Sequence, residues 1–194
     1  MVMKKRALIV GTYVNAPYHP FQQVDHALAE LLAPDFDVTV TDDLSAFRAL
    51  AGVNLCVSYI DMFDAALPEG TGEAILSFVR GGGGLLCLHN GISLQTDERL
   101  FHLIGGKFTE HPPQTELRFT PAEDGFLQGM EGFSMSEEPY QFEMSGDEGC
   151  RCCVTSMREG NTWAAGAERR RRGEWSSLHR GTTSQRSAVR HILL

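Results

Sequence analysis

The chain has 194 residues, 42% of them hydrophobic and 22% charged, with a formal net charge of −8. That length buries the core of one globular domain, and the negative balance argues against nucleic acid or an anionic membrane as partner. No run is long and apolar enough to span a bilayer, and five scattered cysteines give no disulfide framework.

Lys4, Lys5 and Arg6 precede the apolar run Ala7–Val10, which is too short before Gly11 for a secretion signal. Lys5–Val10 is expected instead as a buried first strand, and the protein is expected in the cytosol. Pro20 opens a helical pattern with Phe21, Val24, Ala27, Leu28, Leu31 and Leu32 on one face, and Pro34 stops it. Phe36–Thr41 alternates like a strand. Leu44–Leu50 suits a short helix and Asn54–Ile60 another buried strand. Glu73–Arg80 carries a helix with Ile75, Phe78 and Val79 inward, ended by Gly81–Gly84. Gly84–Leu88 is the fourth strand. Cys56 and Cys87 sit inside these apolar runs, as small hydrophobes do.

The order through Leu88 is therefore β-α-β-α-β-α-β. It predicts an α/β flavodoxin-like three-layer sandwich with a mostly parallel sheet, helices on both faces. Strand one should lie beside strands two and three, with sites at the carboxyl ends of the strands. That rule selects the loops Gly11–His19, Tyr59–Asp64 and His89–Ser93. Further on, Asp97–Ile104 reads as a short helix closed by Gly105 and Gly106. Thr115–Thr120, Tyr140–Met144 and Cys152–Met157 read as strands. No repeat or linker divides the chain, so residues 1–194 are expected as a single domain.

In Cys87-Leu88-His89-Asn90-Gly91 a strand runs into a tight turn, with small residues two before and two after His89. This spacing matches a nucleophile elbow, the strained strand-to-helix turn that presents one side chain above the sheet. Class I glutamine amidotransferases place a cysteine at such a turn. The chain resembles the ThuA-like (trehalose-utilisation) family, which has that fold with a Gly-rich LH motif instead, here Gly82-Gly83-Gly84-Leu85-Leu86-Cys87-Leu88-His89. Three other segments carry the resemblance: Tyr18-His19-Pro20-Phe21, Gly105-Gly106-Lys107-Phe108 with His111-Pro112-Pro113, and Glu137-Glu138-Pro139-Tyr140-Gln141-Phe142.

The resemblance implies carbohydrate metabolism, with a sugar such as trehalose or an oxidised derivative as the small-molecule partner. Acid–base chemistry by His89 with Glu138 is the expected mechanism, of isomerase or hydrolase type. Tyr18, His19, Asp61, Asn90, His111 and Tyr140 are the expected substrate-binding set, hydrogen-bonding hydroxyls and stacking on the ring. Each has a plainer role: His89 and His19 as helix-end residues, His111 as an extended residue before two prolines, Glu138 and Tyr140 as one polar strand face. His89, His19, His111 and Glu138 are also zinc-ligand types. No HxH or HExxH spacing supports a metal and Cys150, Cys152 and Cys153 lack a partner cluster, so no cofactor is expected, with a metal in the His-rich pocket, Glu138 as ligand or base, as the alternative.

Two rival readings stand beside this one. The first is a non-catalytic sugar-binding or regulatory protein. The second is a cysteine amidotransferase or peptidase using Cys87, against which the bulk of its flanks, Leu85 and His89, argues. Either form is compatible with a homo-oligomer.

The family closes with a strand, a Gly-His loop and a final helix. Here Ala164–Gln185 has no apolar period and carries Arg169–Arg172 in a row, whereas Ser187–Leu194 again suits the terminal helix. Codons chosen for Gly173–Thr182, read two bases later, give RVVFPAPGH, a strand and a Gly-His loop. A local reading-frame shift is the corresponding explanation, and His179 is then assigned no role. The segment is expected to be irregular and on the surface, because a strand would turn two of the four arginines into the core.

Overall fold

The computed structural model describes residues 4–16, 18–121, 131–145, 150–157, 160–167, 169–170, 173–174 and 177–178, from residue 150 onward as backbone only. Its first half is a four-stranded parallel sheet in the order β2-β1-β3-β4. The strands are β1 (Lys5–Gly11), β2 (Phe36–Thr41), β3 (Leu55–Tyr59) and β4 (Gly84–Cys87). β1 pairs with β2 from Lys5↔Phe36 and with β3 from Ala7↔Leu55, so the first strand lies between the next two as the alternation predicts.

Side chains on successive strand residues point to opposite faces, and each face is covered. Ala7 and Ile9 pack with Val57, Tyr59 and Leu86 under Leu28 and Leu32 of α1 (Val24–Leu32). Leu8 and Val10 pack with Cys56, Leu85 and Cys87 on the other face. There they meet Ile75, Leu76 and Val79 of α2 (Thr71–Arg80) and Leu100 of α3 (Glu98–Ile104). Phe47, from a short 3-10 helix at Leu44–Arg48, joins the same cluster. Asp97 caps α3 by accepting the Arg99 N–H at 3.0 Å, and Gly105 ends the helix at φ +88°. Among the described residues no helix is long and apolar enough to cross a membrane.

The helical pattern that begins at Pro20 starts as a helix only at Val24. Phe21 lies before it, fully buried, with its ring where a Cβ on Gly11 would stand. The second half is antiparallel and holds strands the sequence reading lacked, β5, β7 and β10 among them. β5 (Gly106–Glu110) pairs with β8 (Gln141–Met144), and β6 (Thr115–Pro121) pairs with β7 (Phe133–Glu137) and β9 (Cys150–Met157). β9 pairs in turn with β10 (Gly160–Ala167). Leu117 and Phe119 stack with Phe133 and Met135 in a small separate core.

Ala164–Ala167, expected to be irregular, completes β10. Beyond it lie the two-residue strands β11 (Arg169–Arg170), β12 (Gly173–Glu174) and β13 (Ser177–Leu178), the last paired with β10. Arg171 and Arg172, the remainder of the segment to Gln185 with His179, and the terminal Ser187–Leu194 lie outside the described residues.

Gln95 joins the two halves. Its Oε1 accepts the Phe108 N–H at 2.6 Å and its Nε2 donates to the Phe108 carbonyl at 3.2 Å. The amide thus pairs with β5 as a neighbouring strand would, and Gln95 is buried in doing so. Gln95→Leu removes both partners at once. It is expected to lower stability by about 1–3 kcal/mol, read as a fall in the midpoint of chemical denaturation.

Candidate functional site

Three loops at the carboxyl edge of the parallel sheet meet β5 and β8. The loop after β1 leaves at Thr12 and returns at Phe21, whose N–H donates to the Thr12 carbonyl at 3.2 Å. Tyr13 braces it by donating from its hydroxyl to Asp25 Oδ2 at 2.6 Å. Burial, then the Asp25 bond, pushes the Tyr13 hydroxyl up to about 12. The loop after β3 is tied to the first, because the Asp61 N–H donates to Thr12 Oγ1 at 3.0 Å. It is also tied to the third: Ser93 Oγ accepts the Met62 N–H at 3.0 Å and donates to the Ile60 carbonyl at 2.9 Å. These bonds fix the positions from which His19, Asp61 and His89 project.

His89 stands at φ +49°, a conformation few side-chain-bearing residues adopt. It opens the 3-10 helix His89–Thr96 directly after β4. At Gly91 a Cβ would run into the main-chain oxygen of Ser58, so the turn admits only glycine two residues on. The elbow expected from the spacing Cys87-x-His89-x-Gly91 is therefore present in both its strain and its crowding.

His89 Nε2 lies 2.8 Å from His19 Nδ1, the rings edge-on at a centroid distance of 4.0 Å. One imidazole donates and the other accepts, according to tautomer. The Tyr140 hydroxyl lies 3.4 Å from the same His89 Nε2 and donates to Glu138 Oε2 at 2.9 Å. The other carboxylate oxygen, Oε1, is 3.9 Å from His111 Nδ1. His19, His89, Tyr140, Glu138 and His111 thus form one continuous row. Glu138 and Tyr140 do not share a strand face as the sequence reading had it. They sit in the turn between β7 and β8, where the Tyr140 N–H donates to the Glu138 carbonyl at 3.0 Å.

Desolvation holds His19 below the usual imidazole range, against the opposing pull of Asp61 and Glu138. Burial, reinforced by Glu138, raises the Tyr140 hydroxyl, which stays protonated as a donor. Burial also raises Asp61, partly offset by His19.

The row borders a cavity of about 270 Å³ lined by Tyr18, His19, Asp61, His89, Asn90, His111 and Tyr140. Of the eight residues expected to form the site, only Glu138 stands behind the lining, one hydrogen bond away through Tyr140. Tyr18 is 82% exposed and forms the rim, whereas Asn90 is 3% exposed and its amide oxygen and nitrogen have no hydrogen-bond partner among the described residues. Phe63, Asp64, Phe108 and Asn15 complete the lining. Sequence reasoning passed over these four, although Asn15, Phe63 and Asp64 lie in loops that the sheet-edge rule selects.

No three His, Cys, Asp or Glu side chains group to hold a metal ion among the described residues. The side chains of Cys150, Cys152 and Cys153 lie outside them. Cys87 is 2% exposed, and burial pushes its thiol up to about 12. Iodoacetamide at pH 7 is therefore expected to leave Cys87 unmodified in the folded protein, as peptide mass spectrometry would show, and to alkylate it after unfolding.

The ThuA family model, described as trehalose utilisation, matches residues 6–172 and so spans every residue of the site. The chain belongs to the ThuA family. Membership connects it with sugar utilisation, and the match ends at Arg172. Among solved structures, a ThuA-like protein from Bacteroides uniformis aligns with TM-score 0.75 at 15% identity, covering 97% of this chain and 88% of its own. A second, from Parabacteroides merdae, aligns at 0.68 and 16% identity, covering 91% and 79%. A glutamine amidotransferase from Thermotoga maritima aligns at 0.56 and 10% identity, covering 91% and 75%. At such identities the likeness is one of fold, and the fold is the glutamine amidotransferase-like α/β sandwich. No curated protein matches the chain in sequence. In this ThuA-family chain the elbow presents an imidazole, and the thiol two residues earlier points into the core.

Proposed function

We propose that the chain is a cytoplasmic sugar-active enzyme in which His89 and Glu138 carry out acid–base chemistry on a sugar bound in the His/Glu/Tyr cavity. The observation that carries this reading is the row from His19 through His89 and Tyr140 to Glu138, built around a histidine at a strained elbow. An imidazole is a suitable base near neutral pH, and a second imidazole beside it orients the tautomer. Tyr140 connects that base to a carboxylate, so a proton taken up at one end of the row can be returned from the other. Tyr18, His19, Asp61, Asn90, His111 and Tyr140 bind the substrate. The Asn90 amide offers an unengaged donor and acceptor, the pair of roles a sugar hydroxyl complements. Phe63, Phe108 and Tyr18 offer ring faces for the apolar side of a pyranose.

The volume lies near the lower limit of small-molecule sites, roughly 300–1,000 Å³. It suits one sugar ring, with any further unit lying outward over Tyr18. The test is a panel of mono- and disaccharides, with oxidised derivatives, incubated with the protein and followed by NMR for turnover and by calorimetry for binding. Conversion of at least one sugar is expected. Binding without conversion would support the non-catalytic sugar-binding reading instead, and neither binding nor conversion would refute both.

A further inference from the structure

The cavity's charge selects among sugars, an inference that rests on the sugar-pocket reading above. Among its described lining residues there is no lysine or arginine, and two of them, Asp61 and Asp64, are carboxylates. A third carboxylate, Glu138, stands directly behind Tyr140. Among the described lining residues, the only ones able to take up positive charge are histidines. His19 is held neutral by desolvation, His89 shares its Nε2 with His19 and Tyr140, and His111 is turned toward Glu138. Beyond the cavity, the chain's net charge of −8 adds a repulsive long-range field.

We infer that the site accepts uncharged sugars and rejects phosphorylated or carboxylated ones, so that its ligand is an unphosphorylated carbohydrate. Phosphate recognition relies on guanidinium or ammonium groups, or on several convergent backbone N–H donors. The cationic side chains are missing from the described lining. A phosphate dianion placed beside Asp61 and Asp64 meets like charge, and the repulsion is strongest at low ionic strength. The reaction that supplies this substrate must accordingly leave the sugar without a phosphate, and phosphorylation, if it occurs, belongs after this step.

Calorimetric titration of the full chain with glucose and trehalose, each paired with its 6-phosphate, tests the inference. The neutral member is expected to bind on the order of tenfold tighter or more. Asp64→Lys reverses one rim charge without touching the catalytic row, and is expected to narrow that gap by about tenfold. Should that variant not fold, raising the salt concentration with the unaltered protein is expected to narrow the gap in the same direction. Equal or tighter binding of the 6-phosphates overturns the inference and leaves the sugar reading standing. Binding of no sugar in either form overturns both. A gap that neither Asp64→Lys nor salt alters overturns the electrostatic explanation.

Discussion

His89→Asn is expected to reduce kcat/KM for the sugar that the protein converts by roughly 10²–10⁴-fold, with circular dichroism and the unfolding midpoint close to those of the parent. Asparagine is the suitable replacement because His89 sits at φ +49°, and asparagine tolerates the left-handed region better than alanine. The variant keeps the elbow and a polar side chain on it, and removes the imidazole that exchanges a proton. Glu138→Gln removes the other end of the row while still accepting from Tyr140 through its amide oxygen. If the two act in one proton-transfer chain, the double variant loses little more than the worse single one. Losses that multiply would show that the residues act independently.

Gly91→Ala is expected to damage both stability and activity. The added methyl group points at the Ser58 carbonyl oxygen, which is main chain in β3 and cannot withdraw without disturbing the parallel sheet. Ser58 is held on the other side as well, since its carbonyl accepts the Leu88 N–H at 3.0 Å and its Oγ donates to the Gly91 carbonyl at 3.1 Å. Overpacking at such a point costs about 1–3 kcal/mol, and each kcal/mol lowers the thermal midpoint by about 2–4 °C for a chain of this size. His89, two residues away, moves with the turn, so turnover falls as well. Gly105→Asn is the control. Nothing stands within 4 Å of its Cβ position, and asparagine accepts the positive φ, so a smaller change is expected. Gly91 itself has no positive φ, so equal effects at the two sites would mean that crowding against Ser58 is not what makes glycine necessary there.

The parallel half was legible because its strands are short apolar runs separated by helices whose inner faces repeat at helical spacing. Ala7–Val10, Cys56–Ser58 and Leu85–Cys87 are buried on both faces, and a buried strand leaves that mark in sequence. The elbow was legible for a different reason: a turn against a neighbouring strand excludes side chains, so glycine at position 91 records the contact with Ser58. The antiparallel half left weaker marks. β5 reads Gly-Lys-Phe-Thr-Glu, and only Gly106 within it is buried. Its position is set by Gln95 and by β8, contacts distant in sequence that no local pattern carries. The same reason hid Phe108 from the site, since its approach to Tyr140, at a ring distance of 4.9 Å, depends on that pairing. Glu138 and Tyr140 are brought together by a turn and not by strand alternation.

His19 also links the site to stability. Its folded pKa is lowered, so the unfolded chain binds this proton more readily than the folded one. Stability is therefore expected to fall as pH drops below the ordinary imidazole value of about 6.5, and to stop falling once folded His19 also protonates.

His19 and His89 are expected to behave as a coupled pair at a sugar site. Histidine side-chain NMR, recorded across pH with and without a sugar that the protein converts, tests it most directly. His19 is predicted to titrate below the ordinary imidazole range, and the His19 and His89 ring signals are predicted to shift together when the sugar is added. Ordinary, independent titration of both rings, unchanged by any sugar, would contradict the account.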